Sequence, residues 1–332
     1  MFEELKKKLQ AEPCTLVFTE GTDERILSAA ERLLKETKVT PLLVGAPKAV
    51  HAAAEAGGFA IAGARICDPE AEPRMDEMEE LLYTLRKGKM TREACRAALR
   101  QGNYYGTMLV KMGAADALLG GATYSTADTV RPALQIIRTK PGCSAVSSCF
   151  ILTRPAAAGG MEMLAMGDCA INIKPTEDEL AESAAETAAT ARRFGLAPKV
   201  AFLSYSTLGS GKGEDVDKMR RACEKARALA PELPIDGELQ FDAAVSPTVA
   251  GIKCPGSPVA GQANTFIFPD LNAGNIGYKI AQRLGGFHAY GPILQGLGAP
   301  INDLSRGCDA EEVYAMALIT AGLIEKGSTP SR

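Results

Sequence analysis

The sequence predicts an α/β protein built from two α/β domains, and three observations predict it. The chain has 332 residues, more than one domain usually holds, so two domains or one large α/β unit are expected. Short apolar runs alternate with longer stretches whose apolar residues recur about every 3.6 positions, the rhythm of a parallel sheet with crossover helices. After "KPG" (140–142) that rhythm gives way to two neighbouring strands around a Pro/Ala/Gly turn, which read as an antiparallel hairpin.

The elements follow in order. "CTLVFTE" (14–20) reads as a buried strand, with Gly21 opening a turn. "DERILSAAERLLKE" (23–36) has helical spacing, and "TPLLVG" (40–45) is the next strand. Residues 75–112 read as helix in three pieces, and "ADALLGG" (115–121) returns to strand. "STADTVRPALQIIRTK" (125–140) opens on a Ser/Thr cap and continues as helix, with Pro132 forcing a late start or a kink. Residues 143–154 and 161–171 form the hairpin. Helix 176–194, strand 199–207, helix 214–230, strands 235–241 and 264–270, helix 271–285 and strand 287–296 complete the second block. The last helix covers about 310–325. The Gly/Pro-rich crossing 296–303 detaches it from that block and lets it return to the first. The expected domains are therefore 1–141 with 297–332, and 142–296.

Composition removes several functional classes. The net charge of −3 provides no basic field for nucleic acid, and the arginines are spread along the chain. "MFEELKKKLQ" has no apolar stretch of a secretory signal, and no run of about 18 apolar residues predicts a membrane span. Nine scattered cysteines without a C-x-x-C pair point to reduced thiols in a cytoplasm and away from a structural zinc site. Two histidines, His51 and His288, are too few for a His-rich metal cluster, and no metal is expected.

Four stretches carry candidate chemistry. "GSGKGE" (209–214) lacks the hydroxyl that a P-loop needs after its lysine, so it reads as a plain glycine loop after a strand, or as one whose N–H groups help hold an anion or a mobile edge of a cleft. No G-x-G-x-x-G follows any strand, so a dinucleotide fingerprint is absent. "GGATYSTADTVRPAL" (120–134) puts Ser125 and Thr126 between a strand end and a helix start, where they cap the helix or meet a ligand. Arg131 lies in that helix. Gly274 and Gly277, at the start of a helix that also holds Arg283, suggest close backbone approach. "NDLSRGC" (302–308) gathers amide, carboxylate, hydroxyl, guanidinium and thiol directly before a helix. "DAEE" (309–312) after it fits a capping box of Asp309 and Glu312. The same cluster at a helix start also favours a phosphate or an oxyanion.

Five stretches together resemble the phosphate acetyl/butyryltransferase family: "PINDLSRGC", "YSTADTVRPALQIIRTKPG", "LSYSTLGSGKG", "DGELQFDAAVSP" and "FPDLNAGNIGYKIAQRLGGFHAYGPILQGL". The resemblance runs from about residue 10 to the C-terminus, in family order. It implies two α/β domains with a cleft between them, similar to isocitrate and isopropylmalate dehydrogenases, and a homodimer. It implies acetyl transfer between CoA and phosphate, by direct thiolate attack in a ternary complex. CoA, acetyl phosphate and phosphate would be substrates, and no cofactor would be needed. Butyryl or another short acyl chain is the neighbouring specificity, and an NAD(P)-dependent decarboxylating dehydrogenase is the remote alternative of the same fold.

The resemblance implies that Ser305 stabilises the tetrahedral intermediate and Arg306 holds the phosphoryl group. Ser125 and Thr126 would be phosphate-side ligands, and Arg86 and Arg131 would lie at the cleft. Arg283 matches a further family arginine, and Asn302 is grouped with the substrate-binding residues. The family's base, an aspartate, falls on Glu312, one methylene longer, with Glu311 and Asp309 as neighbouring carboxylates open to the same role. Cys308 is expected to be structural or adjacent to the site.

Overall fold

The computed structural model describes residues 2–157 and 159–325. In chain order it begins with α1 (Phe2–Ala11), β1 (Cys14–Phe18), α2 (Glu24–Glu36), β2 (Val39–Val44), α3 (Pro47–Gly57) and β3 (Arg65–Cys67). Next come α4 (Met75–Arg86), α5 (Arg92–Leu99), α6 (Gly102–Lys111), β4 (Ala117–Gly120) and α7 (Thr126–Pro132), which runs into a π-helical turn, Ala133–Ile137. Then follow β5 (Ser147–Pro155), β6 (Met161–Gly167), α8 (Glu177–Arg193), β7 (Val200–Leu203), α9 (Glu214–Leu229) and β8 (Ile235–Leu239). The remainder is α10 (Phe241–Val245), α11 (Pro247–Lys253), β9 (Thr265–Ile267), α12 (Leu271–Arg283), β10 (His288–Gln295), β11 (Ile301–Asp303) and α13 (Ala310–Gly322).

The chain divides into two compact units, Met1–Pro141 with the segment from Leu297 onward, and Gly142–Gly296. In the first, five parallel strands run in the order β11-β4-β1-β2-β3. Their apolar runs are buried on both faces, as a helix-covered parallel sheet requires. Phe18, Leu119 and Asn302 share one row, so β1, β4 and β11 end side by side. α13 is apolar nearly all round, and every residue from Val313 to Gly322 is buried. It packs on α1 and α2, where Tyr314 donates to Glu36 (2.8 Å) and Lys8 Nζ to the Gly322 carbonyl (3.0 Å).

The second unit has six strands in the order β10-β5-β6-β9-β7-β8. β5 pairs antiparallel with β6 and β10, and the other neighbours are parallel. α8 opens on a full capping box of Thr176 and Glu179. It packs with α9 over Val200 and Phe202.

Several expectations need correction. The helix expected over 125–140 ends at Pro132, which has no N–H to give and crowds the preceding turn. The chain passes into the π turn, closed by Arg138 N–H to the Ala133 carbonyl (2.9 Å). The strand expected over 199–207 stops at Leu203, because the Ser204 hydroxyl accepts the Ser206 N–H and starts a turn. The strand expected over 264–270 stops at Ile267, and Asp270 becomes the cap of α12. The last helix ends at Gly322. The crossing 296–303 contains β11, joined to β4 through Leu118 N–H and the Pro300 carbonyl (3.0 Å). α1, α3, β3, α10 and α11 have no counterpart in the sequence reading. They are short or rich in charge and alanine, so their apolar period is weak.

Candidate active site

Three segments leave the adjacent ends of β1, β4 and β11, namely residues 19–23, 121–125 and 304–309. Carboxyl ends of parallel strands are where open α/β sheets bind ligands. Polar side chains tie these segments together. Glu20, buried at the end of β1, accepts the N–H groups of Gly121 (3.0 Å) and Thr123 (3.1 Å) and the Thr19 hydroxyl (2.6 Å). Burial raises the Glu20 pKa above the usual carboxylate value, against those hydrogen bonds. The Leu304 N–H reaches the Gly120 carbonyl at 2.7 Å. Gly121 has φ +97°, and a Cβ there would lie 2.2 Å from Asp303 Oδ1, so only glycine fits.

Arg25, in the first turn of α2, is the hub of this end of the sheet. Its Nε and Nη2 grip Asp23 (3.0 and 2.7 Å), and Nη2 also donates to the Ala122 carbonyl (3.1 Å). Its Nη1 donates to the carbonyls of Arg306 (3.0 Å) and Cys308 (3.1 Å). One guanidinium therefore fixes the backbone on both sides of Gly307. The pair holds the Asp23 carboxyl below, and the Arg25 guanidinium above, their ordinary pKa values. Sequence reading did not single out Arg25. Its only local sign is the Asp23-x-Arg25 spacing, while its other partners lie 97 and more positions away.

Ser305 and Arg306 lie exposed on the turn that Arg25 holds. Ser305 Oγ accepts the Gly307 N–H (3.3 Å), which leaves its own proton for a ligand. Arg306 Nη1 donates to the Tyr124 carbonyl (3.1 Å), which brings its guanidinium to the Ser125–Thr126 turn. Ser125 is the N-cap of α7: its hydroxyl accepts the Asp128 N–H and donates to Asp128 Oδ2 (2.6 Å). Thr126 donates to Asp303 Oδ2 (2.7 Å). Ser305, Arg306, Ser125 and Thr126 are thus brought together.

Arg86 and Arg131 form a second group. Arg86 ends α4 with its Nε buried and unpartnered, and Arg131 is exposed in α7, 3.5 Å from Asp128. Burial raises the Tyr104 pKa, and the charges of Arg131 and Arg86 both act against that rise. The Tyr104 hydroxyl donates to Gln135 (2.9 Å).

The other named residues fall elsewhere. Asn302 is fully buried in β11 and donates to Thr320 of α13 (2.9 Å), so it joins strand to helix; this corrects its grouping with substrate ligands. Asp309 and Glu312 complete a capping box: Asp309 accepts the Glu312 N–H (2.8 Å), and Glu312 accepts the Asp309 N–H (3.2 Å). Glu312 is exposed at that helix start. Cys308 is buried, and burial raises its thiol pKa, with Arg25 opposing. Arg283 ends α12 in the second unit and is exposed there. In the 209–214 loop, the Gly209 N–H is taken by Glu238 (2.7 Å) and the Gly211 N–H by Ser206 (2.8 Å), so these two N–H groups are not open to an anion. Among the described residues, no group of three His, Cys, Asp or Glu is placed to hold a metal ion.

Residues 1–321 match the family model described as phosphate acetyl/butaryl transferase. The chain belongs to the phosphate acetyl/butaryl transferase family. A phosphate acetyltransferase of Bacillus subtilis is 50% identical to it over 97% of this chain and 98% of its own length. A phosphotransacetylase structure from Streptococcus pyogenes superposes with a TM-score of 0.93 at 53% identity, covering 97% of each chain. A Staphylococcus aureus phosphotransacetylase gives 0.89 at 47% identity, again over 97% of each. The family match spans both units and the whole cluster at the strand ends.

Proposed function

We propose that this chain is a phosphate acetyltransferase, which moves an acetyl group reversibly between CoA and inorganic phosphate. The observation that carries the reading is an exposed Ser305–Arg306 turn whose guanidinium is bonded to the Tyr124 carbonyl, directly before Ser125 and Thr126. It lies on a chain half identical, along nearly its whole length, to a phosphate acetyltransferase.

With acetyl phosphate and CoA as reactants, the thiol of CoA loses its proton and attacks the acetyl carbonyl. The Ser305 hydroxyl donates to the oxyanion that forms. The bond from the carbonyl carbon to the phosphate oxygen then breaks, and phosphate leaves onto Arg306 and the Ser125–Thr126 turn. Arg306 suits a phosphoryl group because a guanidinium presents two parallel donors. Arg86 and Arg131 keep the cleft positions that the resemblance implies, and Arg283 is grouped with them as a substrate-binding residue without an assigned contact. No metal or bound cofactor enters this scheme, and CoA is a substrate.

Glu312 is the base in this reading. A thiol near pKa 8.5 and a glutamate near 4.3 differ by about 4 units, or roughly 5–6 kcal/mol. Proton transfer is therefore concerted with attack, while nearby arginines favour the developing thiolate. The capping bond to Asp309 fixes the Glu312 carboxylate at the helix start, next to the Ser305 turn in sequence.

Two further parts of the reading concern setting. All nine cysteines are free, which supports a reducing cytoplasm. Ile276, Ile280 and Leu284 form an exposed apolar row along and just beyond α12, which supports a homodimer. Among the described residues, no helix is long and apolar enough to cross a membrane.

The test is thioester formation from acetyl phosphate and CoA, read by ultraviolet absorbance. Activity with acetyl phosphate supports the reading. Activity with butyryl phosphate alone moves the chain to the neighbouring specificity, and activity with neither removes the assignment.

A further inference from the structure

Asp303, the last residue of β11, is 1% exposed, yet one of its oxygens has no hydrogen-bond partner among the described residues. Oδ1 packs against Gly121, and the Thr129 hydroxyl is a second donor that bears on this carboxylate. Oδ2 receives the hydroxyl proton of Thr126 at 2.7 Å. A buried, ionised carboxylate with no cation bonded to it is costly, because burial penalises its charge. Burial raises the Asp303 pKa, with the Thr126 and Thr129 hydroxyls and the Arg306 charge acting against it.

A threonine hydroxyl carries a single proton. While Thr126 gives that proton to Asp303, it has only lone pairs to offer a phosphate oxygen, and two acceptors do not bond. We propose that Asp303 is a positioning residue that sets the direction of the Thr126 hydroxyl. A protonated Asp303 donates to Thr126 Oγ1 and turns the Thr126 O–H toward bound phosphate, and an ionised Asp303 takes that O–H back. The proton comes from solvent when phosphate binds and returns to it when phosphate leaves. The inference rests on the reading of Thr126 as a phosphate-side residue.

The surroundings of Asp303 leave few other groups to titrate. α7 brings Thr126 and the buried Thr129, whose hydroxyls both favour the ionised carboxylate. Asp128 and Arg131 of α7 face each other. β4 and its following loop bring Gly121, with Glu20 bonded behind it. α13 offers Thr320, which Asn302 occupies. Arg306 is the positive charge that bears on Asp303.

Calorimetry with inorganic phosphate tests this without turnover. Titrations in buffers of different ionisation enthalpy, repeated across pH, report the protons taken up per phosphate bound. Wild type is expected to take up more protons than Asp303→Asn, whose amide imitates the protonated acid. Its phosphate affinity is also expected to fall more steeply as pH rises. Thr126→Val is expected to bind phosphate about tenfold more weakly at low pH, with the difference from wild type shrinking as pH rises, and Thr126→Ser to restore binding. Equal proton uptake by wild type and Asp303→Asn overturns the proposal. So does Asp303→Asn weakening binding as Thr126→Val does, or wild type failing to bind phosphate. Wild type that binds with proton uptake yet forms no acetyl-CoA would sink the enzymatic reading and leave this one standing.

Discussion

Single side chains in this protein divide into those proposed to face a ligand and those that hold them. Ser305 belongs to the first kind. Ser305→Ala is expected to lower kcat about 10²–10³-fold in the thioester assay, the usual cost of one oxyanion donor. Arg25 belongs to the second. Arg25→Lys keeps the charge but loses the forked geometry that reaches Asp23, Ala122, Arg306 and Cys308 together. It is expected to cost about 2 kcal/mol in urea unfolding, from two or more hydrogen bonds at about 1 kcal/mol each. Asp23 adds a pH dependence. Its folded pKa lies below the unfolded one, so its contribution is complete above the unfolded value and is lost as pH falls through the folded value. Asp23→Asn should therefore remove part of the stability that wild type loses on acidification, in unfolding measured across pH. Ser305 and Arg306 were legible in sequence because they crowd a short polar stretch before a helix. Arg25 and Glu20 were not, since each acts through partners 97 to 283 positions away, and Asp303 stood in the same polar stretch while its bond to Thr126, 177 positions away, did not show.

At the scale of elements, α13 combines a structural and a proposed chemical role in one turn. Asp309→Ala removes the side-chain half of its cap and is expected to cost about 1 kcal/mol in urea unfolding. Glu312→Gln retains a group able to accept the Asp309 N–H, since a capping box takes either residue. Its stability should match wild type while its thioester rate falls; a rate equal to wild type would return Glu312 to the cap alone. Long elements were legible where apolar spacing was strong, as in α2, α8 and α9, and where strands were fully apolar, as in β1 and β2. β11 escaped because it is three residues long and two of them are polar. Its strand character comes from pairing with β4, and nothing in its own composition announces it. The proline in α7 marked a break, but the π turn that follows depends on how residues 133–137 pack against α4 and α6.

For the whole molecule, the change of rhythm near residue 141 was visible because a hairpin interrupts a parallel α/β pattern. The return of the chain at 297 was suggested by a Gly/Pro-rich crossing, and the structure seats that returning segment at one edge of the first sheet. The second unit is continuous in sequence, whereas the first is assembled from two distant pieces. That arrangement sets an order of events on the ribosome. The strand that ends in Asp303, the turn with Ser305 and Arg306, and the helix behind them are translated after the whole of the second unit. Domains generally fold as units during synthesis, earlier parts first. A nascent chain stopped at Gly296 should therefore protect residues 142–296 from protease while residues 1–141 remain open to it. If the first segment is equally protected, it closes without its last strand. On the expected outcome, the Ser305–Arg306 turn arrives only after the second unit has closed, and chains that stop short of it hold one finished unit and one left open.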